Sequence, residues 1–466
     1  MSEETFDVVI VGAGPGGYVA AIRAGQLGLK AALVEKDPYE GGTCLHRGCI
    51  PTKALLEHAA RYQDLLHADD FGFSTGEVGF DWGRIQDRKQ GIVDQMARGV
   101  AGLLKRWKVE VVQGWGRLDG PRAVAVHDGA DGERTRTLEA RNVILATGSV
   151  PREIPSAPFD GERILSSDHV LRMESVPGSL VVIGAGAVGV EFASIYRDFG
   201  ARVTLVEALP HLLPIEDEEV SKELAKAFKK KGIDVRTSSR LSGAESTPDG
   251  VRVTLDGGEA VEAEAVLVAI GRRPVSEGIG LETVDVRLEQ GYVSVDEWCE
   301  TGETGVYAIG DLNPTPWLAH VASMEGVMVA ERIAGRDVRP VPYRETPNCT
   351  YCDPEVASVG LTERRAVEEG HEVRTGKFPF AASGRAKIGG HTSGFVKIVA
   401  DAKYDEVLGV HIVGYKATEL IAEAGAVLRL EGTVEELIHT IHAHPTLAES
   451  VHEAAHAVHG PSAIHF

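Results

Sequence analysis

Cys44 and Cys49 stand in GGTCLHRGCIPTK, residues 41–53, within a chain of 466 residues that holds only five cysteines. Two thiols at this interval can be packed bystanders, ligands of a soft metal, or a disulfide that opens and closes. In an unbroken α-helix, residues i and i+5 lie about 8–9 Å apart at Cα, from the helical rise and radius. A disulfide spans only roughly 4.4–6.8 Å. A helix therefore cannot run undistorted through both cysteines; Gly48 supplies freedom to break it, and Pro51 suits the first turn of a helix through KALLEHAARYQDLL. A metal would need at least two further soft ligands, and His46 is the only nearby candidate. Strained or exposed disulfides are the reducible kind, so the spacing favours redox chemistry over the other two readings.

Two nucleotide cradles flank that question. The apolar run Phe6–Val11 reads as a buried parallel strand, followed by Gly12, Gly14 and Gly17 in GxGxxG and then a small-residue helix. Gly12 turns the chain, Gly14 lets a pyrophosphate approach the backbone, and Gly17 lets helix and strand pack closely. The helix N-terminus then faces phosphate. A second strand, Ala31–Val34, ends in Glu35, where a carboxylate can bind ribose hydroxyls. The unit recurs in SLVVIGAGAVGVEFASIYRDFGARVTLVEA: Gly184, Gly186 and Gly189 repeat the triplet, and Glu207 follows Gly184 by 23 residues, as Glu35 follows Gly12. The echo extends to VILATGSVPR, with Thr147 and Gly148, and VLVAIGRRP, with Gly271. The sequence thus predicts an α/β fold of two Rossmann-like dinucleotide-binding domains, the second inserted into the first. Glu207 would repel a 2′-phosphate and so favours NAD over NADP.

Composition narrows the class. With 43% hydrophobic and 25% charged residues the chain is globular and long enough for about three domains. No apolar run approaches a membrane span, and MSEETF is acidic where a targeting peptide would be basic, predicting a soluble, untargeted, cytoplasmic protein. Sparse, odd-numbered cysteines argue against a secreted disulfide framework. The formal charge of −21 opposes general affinity for nucleic acid or anionic membrane and would suit a basic protein partner.

Taken together, the GxGxxG start, GGTCLHRGCIPTK, the second GxGxxG, TGETGVYAIGDL and HAHPTLAE resemble the flavoprotein pyridine nucleotide-disulfide reductases, over essentially the whole chain. Within that family the resemblance is to the branch that oxidises dihydrolipoamide held on a lipoyl domain of an acyltransferase in 2-oxo acid dehydrogenase complexes. It implies that the first dinucleotide is FAD, the second NAD, and that the protein is a homodimer whose active sites each draw a base from the other subunit. Cys44 would then exchange with substrate and Cys49 would face the flavin. Lys53 would lie near the flavin and pair with Glu191, while Gly310 and Asp311 would approach the ribityl chain. His444 would be the base and Glu449 the carboxylate that orients it. A thiol attacks a disulfide only as thiolate, so a base of near-neutral pKa suits the task.

The same reading divides the chain into an FAD-binding domain over 1–150, an NAD-binding domain over 151–273, a segment over 274–343 completing the FAD site, and an α+β dimerisation domain over 344–466. In the last, SGFVKIVADAKYDEVLGVHIVG predicts a hairpin turning near Lys403, then a helix through TELIAEAGAVLRL. No lipoyl-type domain is expected before residue 1.

Some motifs point elsewhere. VHEAAH, residues 451–456, matches HExxH, but no downstream Glu remains as third ligand, and the expectation is a solvated helix face with, at most, weak metal binding among the seven histidines between His439 and His465. No functional metal is expected. His46 and Arg47 replace the Asn-Val common in the family; they are expected to point to solvent, although a guanidinium could lower a thiol pKa. Cys349 and Cys352 form CxxC, yet Asp353-Pro354 suggests a strand meeting a turn, so packed thiols are expected there and at Cys299. Glutathione and mercuric reductases share the scaffold, but Glu207 opposes their NADPH, and HGPSAIHF lacks the terminal cysteine pair of the mercuric enzymes. A non-catalytic relative would be expected to have lost Cys44, Cys49 or His444.

Overall fold

In the computed structural model, residues 5–460 and 463–465 are described. The chain forms two compact units: Met1–Ala54 with Gly83–Arg152 and Arg272–Tyr343, and Leu55–Trp82 with Glu153–Gly271 and Arg344–Phe466.

The first unit is built on a seven-stranded sheet. Phe6–Val11 lies between Ala31–Glu35 and Arg134–Leu145, parallel to both, with Glu110–Gln113 beyond Ala31–Glu35 and Val306–Ala308 paired to Arg134–Leu145. The central runs Phe6–Val11 and Ala31–Glu35 are almost wholly buried and apolar without alternation because both faces of a parallel sheet are covered; Val8, Ile10, Leu33 and Ile144 are fully buried. Each such side chain contributes about 1.5–3 kcal/mol on leaving water. Helix Pro15–Gln26 follows the first strand and packs against helix Ala319–Ile333. Small residues permit that approach: a Cβ on Gly326 would stand 2.5 Å from the Gly16 carbonyl oxygen.

The second unit repeats the plan with a parallel sheet ordered Asp234–Arg236, Arg202–Val206, Ser179–Ile183, Ala265–Val268, Ile164–Leu165. The same unit holds a five-stranded antiparallel sheet in which Gly394–Asp401 and Val407–Gly414 form the predicted hairpin. Helices Ala417–Arg429 and Glu449–His459 supply Ile421, Ala424, Val451, Ala454 and Ala455 to its core. The segment Leu55–Trp82 also belongs here, through stacked and edge-on contacts of Tyr62, Phe80 and Trp82 with Phe199. Among the described residues no helix is long and apolar enough to cross a membrane.

Candidate active site

The first GxGxxG makes the turn its spacing predicts. Gly12 has φ +101°, where a Cβ would meet the Ala146 carbonyl oxygen at 2.3 Å, and a Cβ on Gly17 would fall 1.8 Å from the Gly12 carbonyl oxygen. Gly14, the residue preceding helix Pro15–Gln26, has open space where its side chain would be. Glu35 is buried at the end of its strand and accepts from Ala13 N at 2.7 Å and Asp37 N at 2.8 Å. Burial raises its pKa, and the two amides oppose that rise. The carboxylate thereby ties the glycine turn to the strand that carries it.

The thiol pair is attached directly to this cradle. Gly41 N donates to Ala13 O at 2.8 Å, and a Cβ on Gly42 would lie 2.5 Å from the Gly14 Cα, so the chain entering the cysteine motif passes against the phosphate turn. Helix Gly42–Arg47 ends at Gly48, with φ −144° and ψ −111°, and a new helix runs from Cys49 to Leu66. Cys44 and Cys49 are half-buried thiols sharing a hydrogen bond. That bond and burial push the Cys44 thiol well up, while the Lys53 ammonium opposes them. Tyr18 is close enough to Cys44 for the thiol to raise its pKa, after burial as the main cause. His46 and Arg47 do not simply point to solvent: the His46 ring lies 2.9 Å from the Glu40 carbonyl oxygen, and Arg47 pairs with Asp37 at 2.6 Å. Nearby hydrogen-bonding groups, which the pattern of residue types did not reveal, hold both side chains.

A second loop of the first unit carries Gly310 and Asp311. Ser149 donates to the Asp311 carboxylate and accepts from Arg272 Nε at 2.7 Å, and Arg272 also reaches the Ser149 carbonyl at 2.7 Å. Burial raises the Asp311 pKa; Ser149 and Arg272 oppose it. Thr147 donates to Val275 O at 2.8 Å beside Gly148. The two echoed sequences meet here, since Ser149–Pro151 and Arg272–Pro274 pair antiparallel. Glu325 was missed by the sequence reading: fully buried, it accepts from Gly310 N, Thr315 Oγ1 at 3.0 Å and Tyr343 Oη at 2.8 Å. Its signal is a lone acid in phase with Val321, Ala322, Met328 and Val329 on the buried face of a helix.

In the second unit the cradle recurs almost contact for contact. Gly184 has φ +98°, a Cβ on Gly189 would lie 1.8 Å from the Gly184 carbonyl oxygen, and Gly186 faces open space. Glu207 accepts from Ala185 N at 2.7 Å and Leu209 N at 2.8 Å. Gly271, at φ +110°, follows strand Ala265–Val268. Glu191 is buried in helix Ala187–Asp198 and accepts from Tyr351 N at 2.8 Å; Lys53 belongs to the first unit.

Near the C-terminus, His444 Nδ1 stands 2.8 Å from Glu449 Oε1, while Glu449 Oε2 accepts from Thr446 N at 2.8 Å. Burial alone would raise the Glu449 pKa; the Thr446 amide and the His444 ring outweigh it and hold the carboxyl low. The His444 side chain is 80% exposed. The other histidine of the motif, His442, is turned inward onto Glu423 at 2.7 Å. The HExxH face is not the solvated surface expected: His452 and His456 are half-buried, and Glu453 is buried and accepts from His465 N at 3.1 Å. The preceding loop and helix cover that face, which helical periodicity alone does not show. Cys299 and Cys352 are buried, with thiol pKa values raised chiefly by burial, and Cys349 packs beside the core of the antiparallel sheet.

Each cradle couples a glycine turn, an open phosphate position and a buried carboxylate bound to the turn's own amide, which fits a dinucleotide, and one of them carries a dithiol. Residues 6–326 match the family profile described as pyridine nucleotide-disulphide oxidoreductase, and residues 346–455 match the dimerisation domain of the same family. The chain belongs to the pyridine nucleotide-disulphide oxidoreductases, flavoenzymes that use FAD and NAD. It is 47% identical to the dihydrolipoyl dehydrogenase of Bacillus subtilis, covering 99% of each chain, and 44% identical to that of Zymomonas mobilis, again covering 99% of each. Among solved structures, LpdA of Mycobacterium tuberculosis superposes with a TM-score of 0.90 at 31% identity, over 96% of this chain and 98% of that one.

Proposed function

We propose that this protein oxidises dihydrolipoamide, carried on a lipoyl domain of an acyltransferase, to lipoamide and delivers the electron pair to NAD⁺. The observation that carries the reading is the thiol pair Cys44–Cys49, hydrogen-bonded across the break at Gly48 and attached through Gly41 and Gly42 to the first glycine cradle. The similarity to curated dihydrolipoyl dehydrogenases supports the substrate.

In the oxidised protein Cys44 and Cys49 form a disulfide. His444 takes a proton from one thiol of dihydrolipoamide, and the resulting thiolate attacks Cys44 Sγ, forming a mixed disulfide and freeing Cys49 as thiolate. Once the imidazolium has passed its proton to solvent, His444 takes the proton of the second substrate thiol; that thiolate attacks the substrate sulfur of the mixed disulfide, breaking its bond to Cys44 Sγ, releasing lipoamide and leaving Cys44 and Cys49 reduced. Lys53 stabilises negative charge on the pair, as its effect on Cys44 indicates. Glu449 fixes the His444 ring and stabilises the imidazolium that each proton transfer creates. FAD, when bound beside the thiol pair, would supply the conversion of their electron pair into a hydride for NAD⁺. Gly12, Gly14, Gly17 and Glu35 would hold the FAD pyrophosphate and ribose, with Thr147, Gly148, Gly310 and Asp311 lining its remainder. Gly184, Gly186, Gly189, Glu207 and Gly271 would hold NAD, with Glu207 disfavouring a 2′-phosphate.

The high exposure of His444 on the dimerisation domain supports a base that serves the thiols of the other subunit. The sparse, odd-numbered cysteines support work in a reducing compartment such as the cytoplasm. Mixing an inactive Cys44→Ser protein with an inactive His444→Gln protein tests the shared site. Heterodimers should recover lipoamide turnover, because one of their two sites has both groups intact; heterodimers that form but stay inactive would refute it.

A further inference from the structure

The HExxH match left two histidines unused, and their geometry is more specific than the motif. On helix Glu449–His459 the Nε2 atoms of His452 and His456 share a hydrogen bond at 3.2 Å. With metal–nitrogen bonds of about 2.0–2.1 Å and an N–metal–N angle of about 90–110°, two ligating imidazole nitrogens stand about 2.9–3.4 Å apart. The spacing already present is that of two adjacent ligands on one ion.

We infer that His452 and His456 form a two-imidazole site for a borderline divalent transition-metal ion of the nickel, copper or zinc class, with solvent completing the coordination. Two observations beyond the separation support it. His452 Nδ1 lies 3.4 Å from the Leu437 carbonyl oxygen. A proton on Nδ1 directed there leaves the His452 Nε2 lone pair to accept from His456 Nε2–H, whose proton an ion would displace; an outer hydrogen bond of this kind fixes the tautomer of a metal-bound histidine. Both rings are half-buried, so their rotamers are restricted before any ion arrives.

The surroundings set the limits of the site. The His442 ring is 5.3 Å from that of His452, but its Nε2 is engaged by Glu423 of helix Ala417–Arg429. Glu453 is taken by His465, and His459 by Asp405. Among the described residues no group of three or more His, Cys, Asp or Glu could hold a metal, so the protein supplies two ligands. This excludes the closed four-ligand geometry of a structural zinc site and gives a solvent-accessible ion. It also separates the site from hydrolysis, because Glu453 is not free to act as the base of an HExxH enzyme. Imidazole ligands should rank copper above nickel and nickel above cobalt.

The test uses the FAD-loaded homodimer with its Cys44–Cys49 disulfide closed, so that the thiols do not compete. Titration calorimetry with Ni²⁺ should show one ion per subunit. His452→Gln and His456→Gln should each weaken it by at least about tenfold, the loss seen when even outer-shell support of a metal ligand is removed. His439→Gln, at an exposed position, should leave it unchanged. Retained flavin absorbance and lipoamide turnover certify the folding of each variant. Independently of any variant, electron paramagnetic resonance of wild-type protein with substoichiometric Cu²⁺ should resolve two imidazole nitrogens on one ion. Unchanged Ni²⁺ affinity in both glutamine variants, no Ni²⁺ binding by the wild type, or a Cu²⁺ spectrum with fewer than two imidazole nitrogens would overturn the assignment.

Discussion

Replacing Glu325 tests how the loop bearing Gly310 and Asp311 is held. Glu325 is 0% exposed and accepts three hydrogen bonds, from Gly310 N, Thr315 Oγ1 and Tyr343 Oη. Glu325→Ala leaves three donors facing a void, and each unsatisfied buried donor costs about 1–3 kcal/mol. Allowing the two hydroxyls to find partial substitutes, the expected loss is on the order of 3–6 kcal/mol. Glu325→Gln should cost less than about 1.5 kcal/mol, because its carbonyl can keep the Gly310 amide while its NH₂ donates to hydroxyls that turn round to accept. The pH dependence follows from the raised pKa that burial gives Glu325, against its hydrogen bonds. With the folded value above the unfolded one, its contribution is fully present below the ordinary carboxylate pKa and is lost as pH rises through the folded value. The gap between wild type and Glu325→Gln should therefore narrow as pH rises across that window. Flavin release in guanidinium, read beside hydrogen exchange of a peptide containing Gly310, measures both effects. An alanine variant that keeps its flavin midpoint and the protection of Gly310 would refute the reasoning.

Other substitutions address the remaining parts. His444→Gln should leave flavin bound and slow thiol-disulfide exchange by about 10²–10⁴, the range for losing a general base, with Glu449→Gln costing less; stopped-flow reduction by dihydrolipoamide measures both. Because the Glu449 pKa is held low, its contribution to stability is present above the ordinary carboxylate value and lost as pH falls through the folded one, and acid titration of Glu449→Gln should lack that step. Glu207→Ala with Ala208→Arg should weaken NAD⁺ and improve NADP⁺ in steady-state kinetics, since a phosphate partner replaces a repelling carboxylate. Lys397, 3% exposed, bridges the buried Asp217 at 3.1 Å and the exposed Glu363 at 2.6 Å, so Lys397→Met should destabilise the second unit by about 1–3 kcal/mol in thermal or denaturant unfolding.

What could be read in advance was local. The glycine triplets and their carboxylates lie within single strand–turn–helix units, where spacing fixes geometry, so both cradles were visible in the chain. The break at Gly48 was also visible, because an unbroken helix holds positions five apart too far from each other for a disulfide. What escaped depends on distant partners. Ser149 meets Arg272 because the two echoed loops pair across strands, and nothing in either loop announces that register. Glu325 gave a detectable signal, an acid on an apolar helical face, but its three donors come from separate segments. The HExxH face looked solvated because periodicity reports amphipathy and is silent about the loop folded over it. Arg47 pairs with Asp37, ten residues upstream, a partner that the residue types around the cysteines do not announce.

The central claim is that the dithiol beside the first cradle moves electrons from dihydrolipoamide to NAD⁺. Its most direct test is NADH formation by the FAD-loaded protein with free dihydrolipoamide, run beside glutathione as donor and NADP⁺ as acceptor, in wild type and Cys44→Ser. Rapid turnover with dihydrolipoamide and NAD⁺, in the ordinary range of about 1–10³ s⁻¹, is predicted. Glutathione should give little, NADP⁺ should serve poorly, and Cys44→Ser should be inactive with its flavin in place. Preference for glutathione or NADP⁺, or turnover that survives Cys44→Ser, would contradict the account.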